Sequence, residues 1–488
     1  MGDEVKRGVP WTLISYGGSK LISVLTTVVL ARILVPSDFG LLALATIATN
    51  FLYWVADSGL SGAAVVRRDL GTRELGTMLT LVTLTGVGAA VIAIALSPLA
   101  DLAFNDTRVA PVLIAISAVL PIGSIAGFYE ALLLREMLFR RRCLAMIGQA
   151  LLGAAVSITL ALLGDGVWSL VIGQIVSYGA LMLMFAAMSP YRLRPRLDRR
   201  VVGETWRSGR GFLGQGMLMY IRLNVDTITV GAVFGQRPLG YYSMANRFGD
   251  LVYWLISHPI ATVTFPSFAK SRHEGDDVRG PFLRVLGTVA LVSCPVGVIM
   301  SASAEPFTRA LFGDRWLPMA GPLAVMGLWA AVRQIDTTLQ WLLNSLSRAG
   351  AMAWVSLGVL VPLVLGCWLA SSVGYLTAVA CVPLGDTILS AAITAVLVRR
   401  HAEIELSEQV RAILPAVVSS VPTWLVSWGL AQVVGPAQHP IPSLAAAVLG
   451  GALDYLASVR LLAPELLRQV VREAARMVVR GRTQVAST

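Results

Sequence analysis

The chain has 488 residues, of which 56% are hydrophobic and 14% charged, with a mean hydropathy of +0.72 and a formal net charge of +11. Soluble domains carry about one charged residue in four because their surfaces face water, so this composition excludes an ordinary soluble fold and demands a surface that faces lipid. The positive balance is not that of a nucleic-acid binder: the arginines stand in short segments beside apolar stretches, where anionic membrane lipids are the fitting partner.

The opening MGDEVKRGVPW runs into a long apolar segment without a small-residue cleavage site, so the first span is expected to stay in place. From there hydropathy divides the chain into about fourteen spans, at 10–33, 39–62, 76–98, 109–134, 143–164, 166–189, 208–234, 239–266, 285–304, 317–345, 350–370, 374–398, 410–432 and 442–463. Helix is the expected conformation because backbone facing hydrocarbon must satisfy its own hydrogen bonds, and no alternating ten-residue pattern suggests a barrel. The fold class expected is therefore an all-α polytopic membrane protein. Cys143, Cys294, Cys367 and Cys381 fall in apolar segments without metal spacing and are expected as small buried hydrophobes, with no metal site and no cofactor.

Direction follows from the basic residues. With the amino terminus inside, the inward ends carry Lys6, Arg7, Arg67, Arg68, Arg73, Arg135, Arg140 to Arg142, the run Arg192 to Arg200, Lys270, Arg272, Arg279, Arg399, Arg400 and Arg468 to Arg482. The outward connections hold Arg32, Arg108, Arg237, Arg309 and Arg315. This asymmetry predicts an inner-membrane protein with both termini cytoplasmic. The tail, with Arg468, Arg472, Arg476 and Arg480 at four-residue spacing, reads as a basic surface helix on the inner leaflet.

An internal repeat organises the spans. ARILVPSDFGLLALATIATNFLYW from Ala31 lies over GAVFGQRPLGYYSMANRFGDLVYW from Gly231, matching Gly40 to Gly240, Ala45 to Ala245, Tyr53 to Tyr253 and Trp54 to Trp254. Spans one and seven both start inside, which makes the repeat parallel. The expected division is a first lobe of six helices over 1–190, a basic cytoplasmic linker at 191–207, a second lobe of six over 208–400, two further helices within 401–463 and a basic tail at 464–488.

Ionisable groups at bilayer depth cost at least about 2.5 kcal/mol and normally face protein or a water-filled cavity. Lys20, Arg222 and Arg333 fall near mid-span in polar stripes, and Arg247 adds a further cation in span eight. These four are the candidate substrate-binding residues, because a cationic cavity solvates an anionic headgroup such as a diphosphate through charge-assisted hydrogen bonds. Asp226, Asp250, Asp336 and Asp57 are candidates for ion coupling, as are Glu130 and Asp386. The plain alternative is that Arg222–Asp226, Arg247–Asp250 and Arg333–Asp336 are neutralised pairs at helical spacing, an account that Lys20, without an acidic neighbour on its helix, escapes. Gly209 to Gly214 matches GxGxxG, but it opens a membrane span with no preceding strand, so close helix packing through Gly211, Gly214 and Gly216 accounts for it better than a dinucleotide. There is no GxxxxGK[ST], HExxH or GxSxG, and no enzymatic activity is expected. Pro121/Gly123, Pro295/Gly297, Pro362 and Pro383/Gly385 suggest kinks or hinges.

The stretches LARILVPSDFGLLALA, DSGLSGAAVVRRD, GDGVWSLVIGQIVSYG, NVDTITVGAVFGQRPLGYYSMANRF and FPSFAK, spread between Leu30 and Lys270, resemble the polysaccharide transporter branch of the multidrug/oligosaccharidyl-lipid/polysaccharide exporter superfamily, the Wzx-type oligosaccharide flippases. The resemblance implies two six-helix bundles around a central cavity. It implies an undecaprenyl-diphosphate oligosaccharide as cargo, moved from inner to outer leaflet by alternating access, with a polysaccharide polymerase or export machinery as candidate partner. An ion-coupled multidrug exporter of the same superfamily, or a lipid II flippase, is the alternative. The expected direction of the spans is testable: in a chain freed of its four native cysteines, Arg237→Cys is labelled by an impermeant maleimide in intact cells and Arg196→Cys only after permeabilisation, and the opposite pattern would invert the topology.

Overall fold

The computed structural model describes residues 2–57, 60–66, 70–104, 106–198, 202, 217, 220–274, 279–346, 349–462 and 464. Arg67, Arg68, Arg199, Arg200, the GxGxxG stretch at 209–214, Gln215, Gly216 and the basic tail beyond 464 lie outside the described residues. In chain order the helices are α1 (Gly2–Ile33), α2 (Pro36–Asp57), α3 (Leu60–Val66), α4 (Thr72–Phe104), α5 (Val109–Ile116), α6 (Val119–Arg135), α7 (Phe139–Leu163), α8 (Val167–Met188), α9 (220–234), α10 (Gln236–Glu274), α11 (Arg279–Ala302), α12 (Ala304–Phe312), α13 (Ala320–Ser345), α14 (Ala349–Ser372), α15 (Leu376–Ala402), α16 (Leu406–Val434) and α17 (Pro440–Leu462). A 3₁₀ turn, Asp314–Met319, precedes α13, and there is no strand among the described residues. The protein is an all-α polytopic membrane protein.

Packing in this fold inverts the soluble pattern. On α16 the buried face is Gln409, Ala416, Ser419, Ser420, Thr423, Ser427 and Ala431, while Val410, Leu414, Val421, Leu425 and Trp428 are exposed. On α17 Ser443, Ala447 and Gly451 are buried, and Leu449, Leu453, Leu456 and Leu461 point out. Lipid tails are as apolar as leucine, so large side chains gain nothing by turning inward, and small residues that let backbones approach form the interfaces. Ser427 Oγ donates to Ala447 O at 3.0 Å, Ser443 Oγ to Ala431 O at 2.8 Å and Thr423 Oγ1 to Asp454 Oδ2 at 2.9 Å, closing α16 on α17. Tyr455 Oη donates to Leu291 O at 3.0 Å and anchors that hairpin on α11. The same inversion corrects one cysteine: Cys143, Cys294 and Cys367 are buried as expected, but Cys381 is exposed on α15. An apolar residue in a membrane helix turns outward at no cost.

Other expectations change locally. The span expected at 109–134 is present as one stretch, Val109–Arg135, with a turn at Ser117–Ala118 between α5 and α6, so Pro121 stands in the first turn of α6, where its missing N–H costs no hydrogen bond. Gly297, expected at a hinge, is a packing site: a Cβ there would run into Gly327 O and lie 2.8 Å from Ala331 Cβ, and Gly327 in return faces Gly297 O at 2.6 Å. The Gly164-Asp165-Gly166 turn joining α7 to α8 needs both glycines, whose φ values are +94° and +54°.

The chain forms two compact units, 1–224 with 231–240, and 225–230 with 241–488. Within the first, residues 191–198 run over α4, with Arg196 N donating to Thr80 Oγ1 at 3.0 Å and Tyr191 and Leu193 packed on Leu75, Met78 and Phe128. The same unit holds a reciprocal crossing of the first turns of α2 and α10. A Cβ on Gly40 would overlap Gln236 O, and a Cβ on Gly240 would overlap Pro36 O. Each glycine therefore meets the residue four before the other, a reciprocal contact. Beside the crossing Arg108 Nη2 donates to Gln236 Oε1 at 2.8 Å and to Asp106 Oδ2 at 2.8 Å, and Gln236 Nε2 donates to the same carboxylate. Hydrogen bonds from Arg108, above all, hold the Asp106 carboxyl at about 2. Gly40→Leu and Gly240→Leu are each expected to destabilise the protein by at least about 1–3 kcal/mol through overpacking against backbone that cannot yield, read as a lowered melting temperature in detergent, with Gly62→Leu unaffected because nothing lies within 4 Å of it.

Candidate functional site

Ten helical stretches among the described residues are long and apolar enough to cross a membrane. The other expected spans fall on α1, α9, α10 and α13, the four helices that carry Lys20, Arg222, Arg247 and Arg333. The cations are shared between the units: Lys20 and Arg222 belong to the first, Arg247 and Arg333 to the second. Lys20 and Arg247 are exposed and Arg222 is half-buried.

In the second unit Arg333 is held from three sides. Its Nη1 donates to Asp250 Oδ1 at 2.7 Å, and its guanidinium lies 4.1 Å from the Tyr253 ring centre and 4.6 Å from that of Trp329. Gln334 Nε2 donates to the Tyr253 backbone O at 2.8 Å and Trp329 Nε1 to Thr387 Oγ1 at 3.0 Å, so the Tyr253 backbone and the Trp329 ring are themselves fixed. Only a planar cation fits between two rings while keeping an ion pair, which is why arginine and not lysine stands here. The pairing runs from α13 to α10 and not along one helix, so Arg333–Asp250 replaces the expected i, i+3 pairs of Arg333 with Asp336 and of Arg247 with Asp250. Asp336 is buried and accepts hydrogen bonds from Gln340 Nε2 at 2.8 Å and Ser390 Oγ at 3.0 Å. Asp226, also buried, accepts from Tyr242 Oη at 2.6 Å and Thr227 Oγ1 at 3.3 Å.

In the first unit Asp57 accepts from Ser61 Oγ at 2.5 Å. That unit also carries an ion pair that hydropathy conceals: Arg142 Nε and Nη2 reach Glu130 Oε1 at 2.7 and 2.5 Å, with the arginine side chain 6% exposed and the glutamate 31%. Within the run Arg140 to Arg142 the third arginine is turned into the bundle from the first turn of α7, although the sequence places it among inward loop charges. Its only signal was position: three consecutive arginines at a helix start cannot all face the same way. No group of His, Cys, Asp and Glu that would hold a metal ion occurs among the described residues.

A profile of the family described as polysaccharide biosynthesis protein matches residues 29–321. The succinoglycan biosynthesis transport protein ExoT of Rhizobium meliloti is 28% identical over 351 residues, covering 71% of this chain and 69% of that protein. The teichuronic acid biosynthesis protein TuaB of Bacillus subtilis is 23% identical over 456 residues, 93% of this chain and 94% of its own length. Among solved structures the lipid II flippase MurJ in an inward closed conformation superposes with a TM-score of 0.74 at 13% identity, covering 94% of this chain and all of that one, a likeness of fold.

The Arg333 cluster yields a measurable coupling. A double-mutant cycle of Arg333→Gln and Asp250→Asn, followed by thermal unfolding in detergent, is expected to give an interaction of about 1–2 kcal/mol, and Arg333→Lys to lose stability despite keeping the charge.

Proposed function

The chain belongs to the family of polysaccharide biosynthesis proteins, and from that membership we propose that it is a flippase of the multidrug/oligosaccharidyl-lipid/polysaccharide exporter superfamily. It translocates a lipid-linked oligosaccharide by alternating access for the assembly of a surface polysaccharide. In this reading the lipid is undecaprenyl diphosphate, the movement is from inner to outer leaflet of the cytoplasmic membrane, both termini are cytoplasmic, and a polysaccharide polymerase or export complex takes up the product. The work is transport, and no residue is assigned a catalytic role.

The observation that carries the reading is the placement of a cation within each of four expected spans, two in each unit. A diphosphate cannot cross about 30 Å of hydrocarbon as a bare dianion, since even a single charge at the bilayer centre costs several kcal/mol. Lys20, Arg222, Arg247 and Arg333 supply charge-assisted hydrogen bonds in place of the lost water. Their roles differ. Lys20 and Arg247, exposed on their helices, are the side chains that meet the headgroup first. Arg333 presents a guanidinium already oriented by Tyr253, Trp329 and Asp250, so little rotamer entropy is lost when a phosphate oxygen arrives. Coupling to an ion falls to the carboxylates. Among Asp226, Asp250, Asp336 and Asp57, Asp250 is tied to Arg333, whereas Asp226 is held by neutral hydroxyls, so a proton or cation can exchange there without breaking an ion pair.

The test is export in cells. Lys20→Ala, Arg222→Ala, Arg247→Ala and Arg333→Ala proteins, inserted in the membrane at normal levels, are expected to lower surface polysaccharide about tenfold or more and to accumulate the lipid-linked oligosaccharide. Full export from all four variants would overturn the cationic pathway. Drug sensitivity on deletion, with surface polysaccharide unchanged, would instead establish a multidrug exporter.

A further inference from the structure

In the first unit one face of α6 is stripped of side chains. Gly123 and Gly127 lie one turn apart on it, and the groups that cover them come from other helices. A Cβ on Gly123 would lie 3.4 Å from Tyr53 Cε2 and 3.6 Å from Tyr178 Cδ1, and a Cβ on Gly127 would lie 2.8 Å from Tyr53 Oη and 3.9 Å from Ser61 Oγ. Tyr53 comes from α2 and Tyr178 from α8. Asp57 follows Tyr53 by one turn on the same face of α2, tied to Ser61, and Glu130 follows Gly127 by one turn on α6, tied to Arg142. Asp57, Tyr178 and Glu130 are all within electrostatic reach of Tyr53. Every one of these side chains but Arg142 is half-buried, so each keeps part of its surface open. Neither tyrosine hydroxyl makes a hydrogen bond among the described residues.

Each part of this arrangement has a chemistry. Two aromatic rings packed close on glycine backbone make a flat apolar surface. Two carboxylates retain acceptor lone pairs, because Ser61 engages Asp57 Oδ1 and Arg142 engages Glu130 Oε1, and two phenols can donate or accept. With Asp57 and Glu130 negative and Arg142 positive, the cluster carries one net negative charge, which repels a diphosphate. A bare metal ion would require a shell of oxygens on every side, and rings occupy two of them. A neutral, hydroxyl-rich ring satisfies all three conditions: it lays its C–H face on an aromatic surface and donates its hydroxyls to carboxylates.

We infer that Tyr53, Tyr178, Asp57 and Glu130, arranged over Gly123 and Gly127, form a carbohydrate subsite that holds a neutral sugar of the cargo apart from the cations that hold its diphosphate. The inference rests on the flippase reading and adds to it a recognition element for the glycan. Arg142 is a positioning residue, fixing Glu130 from α7, and the glycines let the tyrosines lie against the α6 backbone. Sites built to hydrogen-bond hydroxyls discriminate strongly against ligands that lack them, because their polar groups are left unpaired.

The experiment measures binding to the full-length protein in nanodiscs, using two probes: the lipid-linked oligosaccharide that accumulates in a strain deleted for this gene, and bare undecaprenyl diphosphate. The wild-type protein is expected to bind the sugar-bearing lipid at least about tenfold more tightly. The double variant Tyr53→Phe/Tyr178→Phe, and separately Gly127→Val, whose Cβ displaces Tyr53 while keeping every hydrogen-bonding group, are expected to remove that preference. Unchanged melting temperatures establish that the fold is intact. Equal binding of the two probes by wild type, or a preference that survives in both variants, overturns the subsite while leaving the flippase reading standing. A wild-type protein that binds neither lipid overturns both. Sodium-dependent binding lost in the variants, with sugar preference retained, would reassign the cluster to a cation and overturn the inference.

Discussion

A charged side chain inside a membrane is tolerated only where protein or water replaces its hydration, and that constraint organises this molecule. Arg333 shows how the demand is met: one carboxylate, two ring faces, and second-layer hydrogen bonds that hold the Tyr253 backbone and the Trp329 ring. Arg142 meets it more simply, with both nitrogens on one oxygen of Glu130. Neither solution lies along a single helix. Each joins two helices, so the groups suited to handling polar cargo also cross-link the bundle in which they sit.

The interior that receives these groups is built from small residues. Gly40 against Gln236, Gly240 against Pro36, and Gly297 against Gly327 bring backbones closer than any side chain would allow. The absence of a hydrophobic driving force between lipid-exposed helices leaves van der Waals contact and short hydroxyl bonds such as Ser427 to Ala447 as the cohesive terms. The last hairpin, α16–α17, is held in that way and docked on α11 by Tyr455. It is an integral part of the second unit.

Function follows from dividing the chemistry. Cations stand on α1, α9, α10 and α13, and Tyr53, Tyr178, Asp57 and Glu130 stand on α2, α6 and α8. The proposed cargo, an anionic diphosphate joined to a neutral glycan, has two faces of opposite demand. A pathway that offered only positive charge would grip the phosphate and ignore the sugar, and one that offered only carboxylates would refuse the headgroup.

Much of this was legible in the residues themselves. Composition and hydropathy determined an all-α membrane fold, because burial against lipid is a property of each segment on its own. The presence of Lys20, Arg222, Arg247 and Arg333 at depth was equally plain, since a charge within an apolar run needs no partner to be noticed. Partnership was not. Spacing offered Asp336 to Arg333 and Asp250 to Arg247, whereas the tertiary structure gives Asp250 to Arg333 and surrounds it with Tyr253 and Trp329. It likewise turned Arg142 inward, made Gly297 a contact instead of a hinge, and gathered Tyr53 and Tyr178 over Gly123. One helix presents a residue to a direction, but which side chains arrive from that direction depends on the crossing angle and rotation of its neighbours, and no single segment encodes those.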